Sequence, residues 1–333
     1  MLEFENVSLK PYNTFGVDVS ADRLLELRSD GEIASLLSSG WKDASFLILG
    51  SGANVLFTGD YHGTVVRLAT KGIRELSRHD GQILLEVAAG EEWDDFVRHC
   101  VAHGYYGVEN LALVPAQVGG AVVQNIGAYG CEVKDVVSSV RAICMESGEE
   151  RVFSREECGF GYRTSHFKRH RGEFLVRSVQ FVLSSVPRFH TEYGDVAERL
   201  RQRGETTISS VYEVVSEIRR EKLPDVKVLG SAGSFFRNPV VSTGKWMELH
   251  AAFPQLKGFP EEEGVKLSAA QLIDSLGWKG FRRGDAGVHV RQALVLVNYG
   301  RATGREILQL ACDIRESVER RYGIRLEEEV IVL

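Results

Sequence analysis

Apolar and polar positions follow two different rhythms along this chain. In the first half, short apolar runs closed by turn residues predict strands over 46–49, ending at Gly50, over 64–68, and over 83–89, closed by Gly90. The spacing then becomes helical: Trp93, Phe96, Val97, Cys100 and Val101 share one face, and Gly104 supplies the stop. Further strands are expected over 140–145 and 174–183. The second half is richer in capped helices. Ser210-Val-Tyr-Glu213 has capping-box spacing ahead of Val214, Val215 and Ile218, and Pro224 ends that helix. Ser268-Ala-Ala-Gln271 opens another, with Leu272, Ile273 and Leu276 inward and Gly277 at its end. Thr303-Gly-Arg-Glu306 opens the last, whose Ile307, Ala311, Ile314 and Val318 share a face up to Gly323. A final strand over 324–332 closes the chain. The mixture points to an α+β or α/β class.

Length and composition narrow this picture. A chain of 333 residues exceeds one ordinary core, so two or three domains are expected. Hydrophobic residues make up 44% and charged residues 26%, the balance of a globular protein. The net charge of −6, with both signs interspersed, offers no basic stripe for nucleic acid or an anionic membrane. The most apolar stretch, 111–123, is broken by Pro115, Gln117 and glycines, so no membrane span is expected. The first residues lack the basic start and apolar run of a secretory signal. Five cysteines form no C-x-x-C pair, which argues for reduced thiols and against a disulfide scaffold or zinc. A cytoplasmic protein without a bound metal is expected.

Two loops carry candidate chemistry. Leu49-Gly50-Ser51-Gly52-Ala53-Asn54-Val55 places small residues directly after a strand, where backbone N–H groups could approach a diphosphate. Val55 stands where a dinucleotide fingerprint has its third glycine, so a plain turn is the alternative. The second loop runs from Val114-Pro115-Ala116-Gln117-Val118-Gly119-Gly120-Ala121 into Gln124-Asn125-Ile126-Gly127-Ala128-Tyr129-Gly130. Its glycines disfavour a regular helix by about 1 kcal/mol each, and a long irregular loop of this kind suits wrapping of a flat cofactor.

Together these loops resemble the FAD-binding segments of UDP-N-acetylenolpyruvoylglucosamine reductases. The resemblance continues in order through nearly the whole chain. It includes Leu9-Lys-Pro-Tyr-Asn-Thr-Phe-Gly16, Gly161-Tyr-Arg-Thr-Ser165, Tyr193-Gly-Asp195 and Lys222-Leu-Pro-Asp225. Gly233-Ser-Phe-Phe-Arg-Asn-Pro239, Gln292-Ala-Leu-Val295 and Leu326-Glu-Glu-Glu-Val330 complete it. Tyr193 is similar to the substrate-closing tyrosine of one subgroup. The resemblance implies an α+β fold of three domains. Two, over 1–68 with 325–333 and over 69–209, would hold FAD non-covalently in the manner of vanillyl-alcohol-oxidase-like flavoproteins. The third, over 210–324, would bind substrate. The implied reaction is NADPH-dependent reduction of UDP-N-acetylglucosamine enolpyruvate by a monomeric enzyme.

Residue roles follow from the same resemblance. Arg163 would grip the substrate carboxylate, although by residue type alone it reads as a surface ion-pairing arginine. Glu329 would act as a neutral acid, and Ser234, otherwise a turn serine, would give the proton. Glu328 stands where the family usually has proline; alternation puts it on the face opposite Glu327 and Glu329, and a solvated acidic end is its plain alternative. Lys222, Arg219 and Tyr193 are candidates for the UDP diphosphate, with Asn238 and Gln292 for polar contacts. Lys222 and Arg219, three apart on a helix end, can point the same way. Ala116 replaces a common glycine, and the histidine-following Arg-Gln-Gln pattern reads Val290-Arg291-Gln292. Two rival readings stay open: another FAD oxidase, with His62, His103 or Cys131 as a covalent flavin link, and a non-catalytic binder of UDP-amino sugars.

Overall fold

The structure is a computed structural model, and it describes residues 1–39 and 45–333. These fall into two compact units: Met1–Val7, Ala21–Ser51 and His62–Arg219 form one, and Ser8–Ser20, Gly52–Tyr61 and Arg220–Leu333 the other.

In the first unit, a four-stranded sheet has the order Leu2–Ser8, Ser20–Leu27, Tyr61–Leu68, Phe46–Ile48. Its last pair is parallel, with Leu47 opposite Val65. A five-stranded antiparallel sheet has the order Glu150–Ser154, Val137–Cys144, Phe174–Ser184, Gln82–Ala88, Ile73–His79. The helix Trp93–His103 buries Trp93, Phe96, Val97 and Cys100, as its spacing predicts, and Gly104 ends it at φ 67°. Trp93, Phe96 and Phe181 pack ring against ring at 4.8–6.1 Å between centroids. The Trp93 indole N–H donates to the Leu111 carbonyl at 3.0 Å, which fastens the following loop to this core.

The stretch 114–130 is more regular than its glycines suggest. Val118–Gln124 is a helix of seven residues, with Val118, Gly119, Ala121 and Val122 buried. A Cβ on Gly119 would sit 3.0 Å from the Ala89 Cβ, so glycine lets the helix lie flush on the end of the strand Gln82–Ala88. Packing outweighs a propensity penalty of about 1 kcal/mol per glycine.

A second apolar cluster joins Ala112, Val196, Leu200, Val211, Val214, Val215 and Ile218. Its helix, Ile208–Lys222, starts before the expected box. The Ser210 N–H donates to the Thr207 hydroxyl at 3.1 Å and the Thr207 N–H to the Ser210 hydroxyl at 2.8 Å. Ser210 is therefore the third helical residue and Thr207 the cap. The division between the two units falls inside this helix, after Arg219.

The second unit is built on a sheet of order Gly230–Ser234, Val295–Asn298, Ala286–Val288, Arg282–Arg283. The helix Gly304–Tyr322 has the expected Thr303/Glu306 box, buries Ile307, Ala311, Ile314 and Val318, and ends at Gly323 with φ 63°. Ser268 caps Ala269–Asp274, which stops at Ser275, short of Gly277. The final strand is limited to Ile331–Val332, parallel to Val55–Leu56. Residues 324–330 were expected to belong to it, but they hold only one bridge, Phe236 to Glu328. The chain changes partners here, so no continuous ladder forms. Alternation survives in burial: Ile324, Leu326 and Val330 are buried, while Arg325 and Glu327 are exposed. No helix among the described residues is long and apolar enough to cross a membrane.

Candidate active site

The expected flavin segments of the first unit are tied together by their own backbone. Gln117 lies against Gly50, where a Cβ would be 3.5 Å from its Oε1, and its side-chain amide donates to the Leu68 carbonyl at 3.3 Å. The amides of Val118 and Gly119 donate to the carbonyls of Glu91 and Ala89 at 2.8 and 2.9 Å, so both are committed within the protein. Gly120 differs. Among the described residues, nothing beyond its own helix and chain neighbours lies within 4 Å of a Cβ placed on it, which leaves an open, side-chain-free surface where a flat ring system can approach. Pro115 is exposed and Ala121 buried on either side of this surface.

Asn125 ends the helix at φ 44°. It donates to the Gly161 carbonyl at 2.8 Å and accepts from the Lys134 N–H at 3.1 Å. It thereby fixes the Gly161–Thr164 turn that carries Arg163. Arg163 is itself left-handed at φ 54°, a conformation that costs a non-glycine residue about 1–2 kcal/mol. Lys168 Nζ holds its carbonyl at 3.1 Å, and the Ser165 hydroxyl anchors the next turn on the Val123 carbonyl at 2.7 Å. The Arg163 guanidinium donates to the Gly127 carbonyl at 2.7 Å and lies 3.9 Å from Glu132. A Cβ on Gly127 would fall 2.8 Å from Arg163 Nη1, so Gly127 makes room for the arginine. Its side chain is only 20% exposed, unlike a surface ion pair. Glu132 and Asn125 are thus the residues that aim Arg163, and nothing in the local sequence marked Glu132.

Ala128 pairs with Cys131 in a short hairpin, and Tyr129 follows at φ 48°. The Tyr129 and Tyr193 rings meet edge to face at 6.2 Å, with Tyr193 61% exposed. Asn110 joins their segments by donating to the carbonyls of Tyr129 at 2.9 Å and His190 at 2.6 Å. Burial pushes the Tyr129 phenol above its usual pKa, opposed by the nearby Arg219 cation. Arg219 reaches the Leu113 carbonyl at 3.4 Å, and its Nε is buried without a partner among the described residues. Desolvation lowers its pKa, opposed by Tyr129 and Asp94. Lys222, in contrast, is exposed. Arg219 is held toward the 112–129 segment by its bond to Leu113.

The second unit holds the other candidates. Gly52, at φ 64°, has its Cβ side filled by the chain itself, 2.0 Å from the Tyr12 carbonyl oxygen. Glycine is required there for self-packing. Ala53 leads to Asn54, whose side-chain amide donates to the Glu329 carbonyl at 3.0 Å. The Glu329 N–H donates to the Phe235 carbonyl at 2.8 Å. Ser234 precedes Phe235 at a register shift between Ser231 and Ser234, after Gly233 at φ 72°. Such irregularities re-aim a side chain out of a ladder. The Ser234 hydroxyl makes no hydrogen bond among the described residues, and the residue is half-buried. Asn238 accepts from the Ala269 N–H at 3.0 Å, and Gln292 accepts weakly from Leu294 at 3.5 Å. Glu327 lies 3.9 Å from Arg237, while Glu328 pairs with Arg315. Glu328 is therefore no solvated strand end, a correction that only the Gly304–Tyr322 helix could supply. His289, which opens the histidine-following pattern, is buried with Nδ1 unpartnered among the described residues, and burial lowers its pKa.

The candidates for a covalent flavin link have other occupations. His62 faces Asp22 at 3.4 Å, and His103 stacks on His99 at 4.1 Å. Burial pushes the Cys131 thiol up to about 12, which keeps it neutral and weakly nucleophilic.

A model of the FAD binding domain matches residues 21–154, and one of the UDP-N-acetylenolpyruvoylglucosamine reductase C-terminal domain matches residues 224–333. On a chain of mixed α and β architecture, these matches define an FAD-dependent oxidoreductase. The chain is 46% identical to the UDP-N-acetylenolpyruvoylglucosamine reductase of Pseudomonas fluorescens (strain Pf0-1) over 327 residues, 97% of this chain and 96% of that one. The Pseudomonas aeruginosa PAO1 enzyme of the same name is also 46% identical, over 98% of this chain and 97% of its own. The crystal structure of the Thermus caldophilus reductase superposes with a TM-score of 0.67 at 27% identity, covering 99% of this chain and 98% of that one. The chain belongs to the UDP-N-acetylenolpyruvoylglucosamine reductase family.

Proposed function

We propose that this enzyme uses NADPH to reduce the enolpyruvyl ether of UDP-N-acetylglucosamine to UDP-N-acetylmuramate, for peptidoglycan precursor synthesis. When bound, FAD supplies the two-electron chemistry, taking electrons from NADPH and passing hydride to the terminal carbon of the enolpyruvyl double bond.

The chain's own residues manage the charge that results. Negative charge develops at the carbon beside the substrate carboxylate and spreads onto its oxygens. Arg163, always cationic and already aimed by Gly127 and Glu132, holds that carboxylate through paired hydrogen bonds. Glu329, as a neutral acid, donates a hydrogen bond to the charge-bearing oxygen. Ser234 donates its proton to the carbon, completing the lactyl ether. Arg219, Tyr193 and Lys222 take the UDP diphosphate; the buried Arg219 Nε, without a partner among the described residues, is the group best prepared for it. Asn238 and Gln292 contribute polar contacts.

One observation carries this reading. The Glu329 N–H is bonded at 2.8 Å to the carbonyl of Phe235, the residue after Ser234, so one chain segment carries the hydroxyl and supports the acid, and the Ser234 hydroxyl makes no hydrogen bond among the described residues. The test is an anaerobic titration. Bound flavin is reduced with one equivalent of NADPH, and the enolpyruvyl sugar is then added. Return of the oxidised flavin spectrum is expected. A flavin that stays reduced until oxygen is admitted would overturn the reading in favour of an oxidase.

A further inference from the structure

We propose that Arg315 is a positioning residue for Glu329, acting through its ion pair with Glu328. The proposal rests on the reading that Glu329 acts on the substrate.

The segment carrying Glu329 is held by single backbone bonds on either side of residue 328. The Arg237 N–H donates to the Glu327 carbonyl at 2.9 Å, and the Glu329 N–H donates to the Phe235 carbonyl at 2.8 Å. Between these two bonds, Glu328 stands opposite Phe236. In such an antiparallel pair the flanking residues make the hydrogen bonds, and residue 328 itself makes none to the facing strand. Beyond it the chain turns to Asn54 for its next bonds. Residue 328 is thus a joint between two anchors. Small adjustments of φ and ψ there, within the tolerance of those two bonds, tilt the Glu329 carboxyl.

The Glu328 side chain closes that freedom. Its carboxylate pairs with Arg315 Nη1, and the two side chains are only 27% and 22% exposed. Arg315 belongs to the helix Gly304–Tyr322, whose buried face packs in the core of the unit, so the cation sits on a rigid support. Its Nη2 lies 3.3 Å from Cys312 Sγ, one turn back, which orients the guanidinium plane. A bonded, partly desolvated pair on a fixed helix constrains direction better than two exposed charges.

The test uses the flavin-loaded enzyme and stopped-flow measurement of each half-reaction. Arg315→Met and Glu328→Gln should slow reoxidation by the enolpyruvyl sugar on the order of tenfold, since small misplacement of a reacting group is costly. Flavin reduction by NADPH should stay within about twofold of wild type, because the chain groups that manage substrate charge play no part in it. Arg315→Lys should recover most of the rate. Glu328→Pro stiffens the same joint by fixing φ and removes no bond of the ladder. In that background, Arg315→Met should have no further effect. Equal losses in both half-reactions, no loss in Arg315→Met, or the same loss in the Glu328→Pro background would overturn the proposal. Wild-type flavin that the sugar fails to reoxidise would instead overturn the functional reading beneath it.

Discussion

The side-chain amide of Asn54 donates to the backbone carbonyl of Glu329 at 3.0 Å, joining residues 275 positions apart. The Asn54 carbonyl in turn accepts the Ile331 N–H at 3.0 Å. The loop that reads as a phosphate-binding turn is therefore also a clasp on the end of the chain.

Breaking that clasp should be visible in stability. Asn54→Ala is expected to cost about 1 kcal/mol, the net value of one hydrogen bond, as a lower urea midpoint with an unchanged slope. Asn54→Asp should cost more, because it turns an acceptor toward the Glu329 carbonyl. An aspartate variant as stable as wild type would mean the tether is absent.

Ser234→Ala removes only a hydroxyl that has no partner among the described residues, so its folding should be almost unaffected. Flavin reduction by NADPH should be nearly intact. Reoxidation by the enolpyruvyl sugar should slow by about 10²–10⁴, the usual value of a positioned proton donor. Equal loss in both half-reactions would contradict the assignment.

Gly127→Ala tests the aim of Arg163. The added methyl would lie 2.8 Å from Arg163 Nη1 and 2.9 Å from Glu132 Cγ, so the guanidinium must move. We expect a stability loss of about 1–3 kcal/mol from overpacking. The concentration of enolpyruvyl sugar at half-maximal reoxidation should also rise. An unchanged substrate dependence would separate Gly127 from Arg163.

Glu109 offers a pH prediction. It is 1% exposed, and burial raises its pKa above the ordinary 4.5, although the Gly107 N–H partly opposes this. The folded state thus favours the protonated carboxyl. That contribution is fully present below the unfolded pKa and is lost as pH rises through the folded one. Glu109→Gln, which keeps an acceptor for Gly107, should gain thermal stability relative to wild type as pH increases from 4.5 toward 8. A difference between the two proteins that does not change with pH would refute the buried-acid account.

Much of the molecule was legible before any coordinates. The Trp93 helix with its Gly104 stop, the Thr303/Glu306 box and the strands over 46–49 and 174–183 depend on periodicity and capping, which act within a few residues. The ordered motifs that marked the family are likewise local strings. The misreadings share a different origin. The Val118–Gln124 helix exists because Ala89 offers a surface that glycine fits, and the Ser210 box shifted because Thr207 was the better-placed cap.

By itself, then, the sequence determined the elements, the family and the identity of the candidate groups. Tertiary structure alone decided that Arg219 turns inward while Lys222 stays exposed, that Glu132 flanks Arg163, and that Glu328 pairs with Arg315. The reason is range. Periodicity and capping report interactions between residues close in the chain, whereas these contacts depend on which distant segment the fold brings alongside.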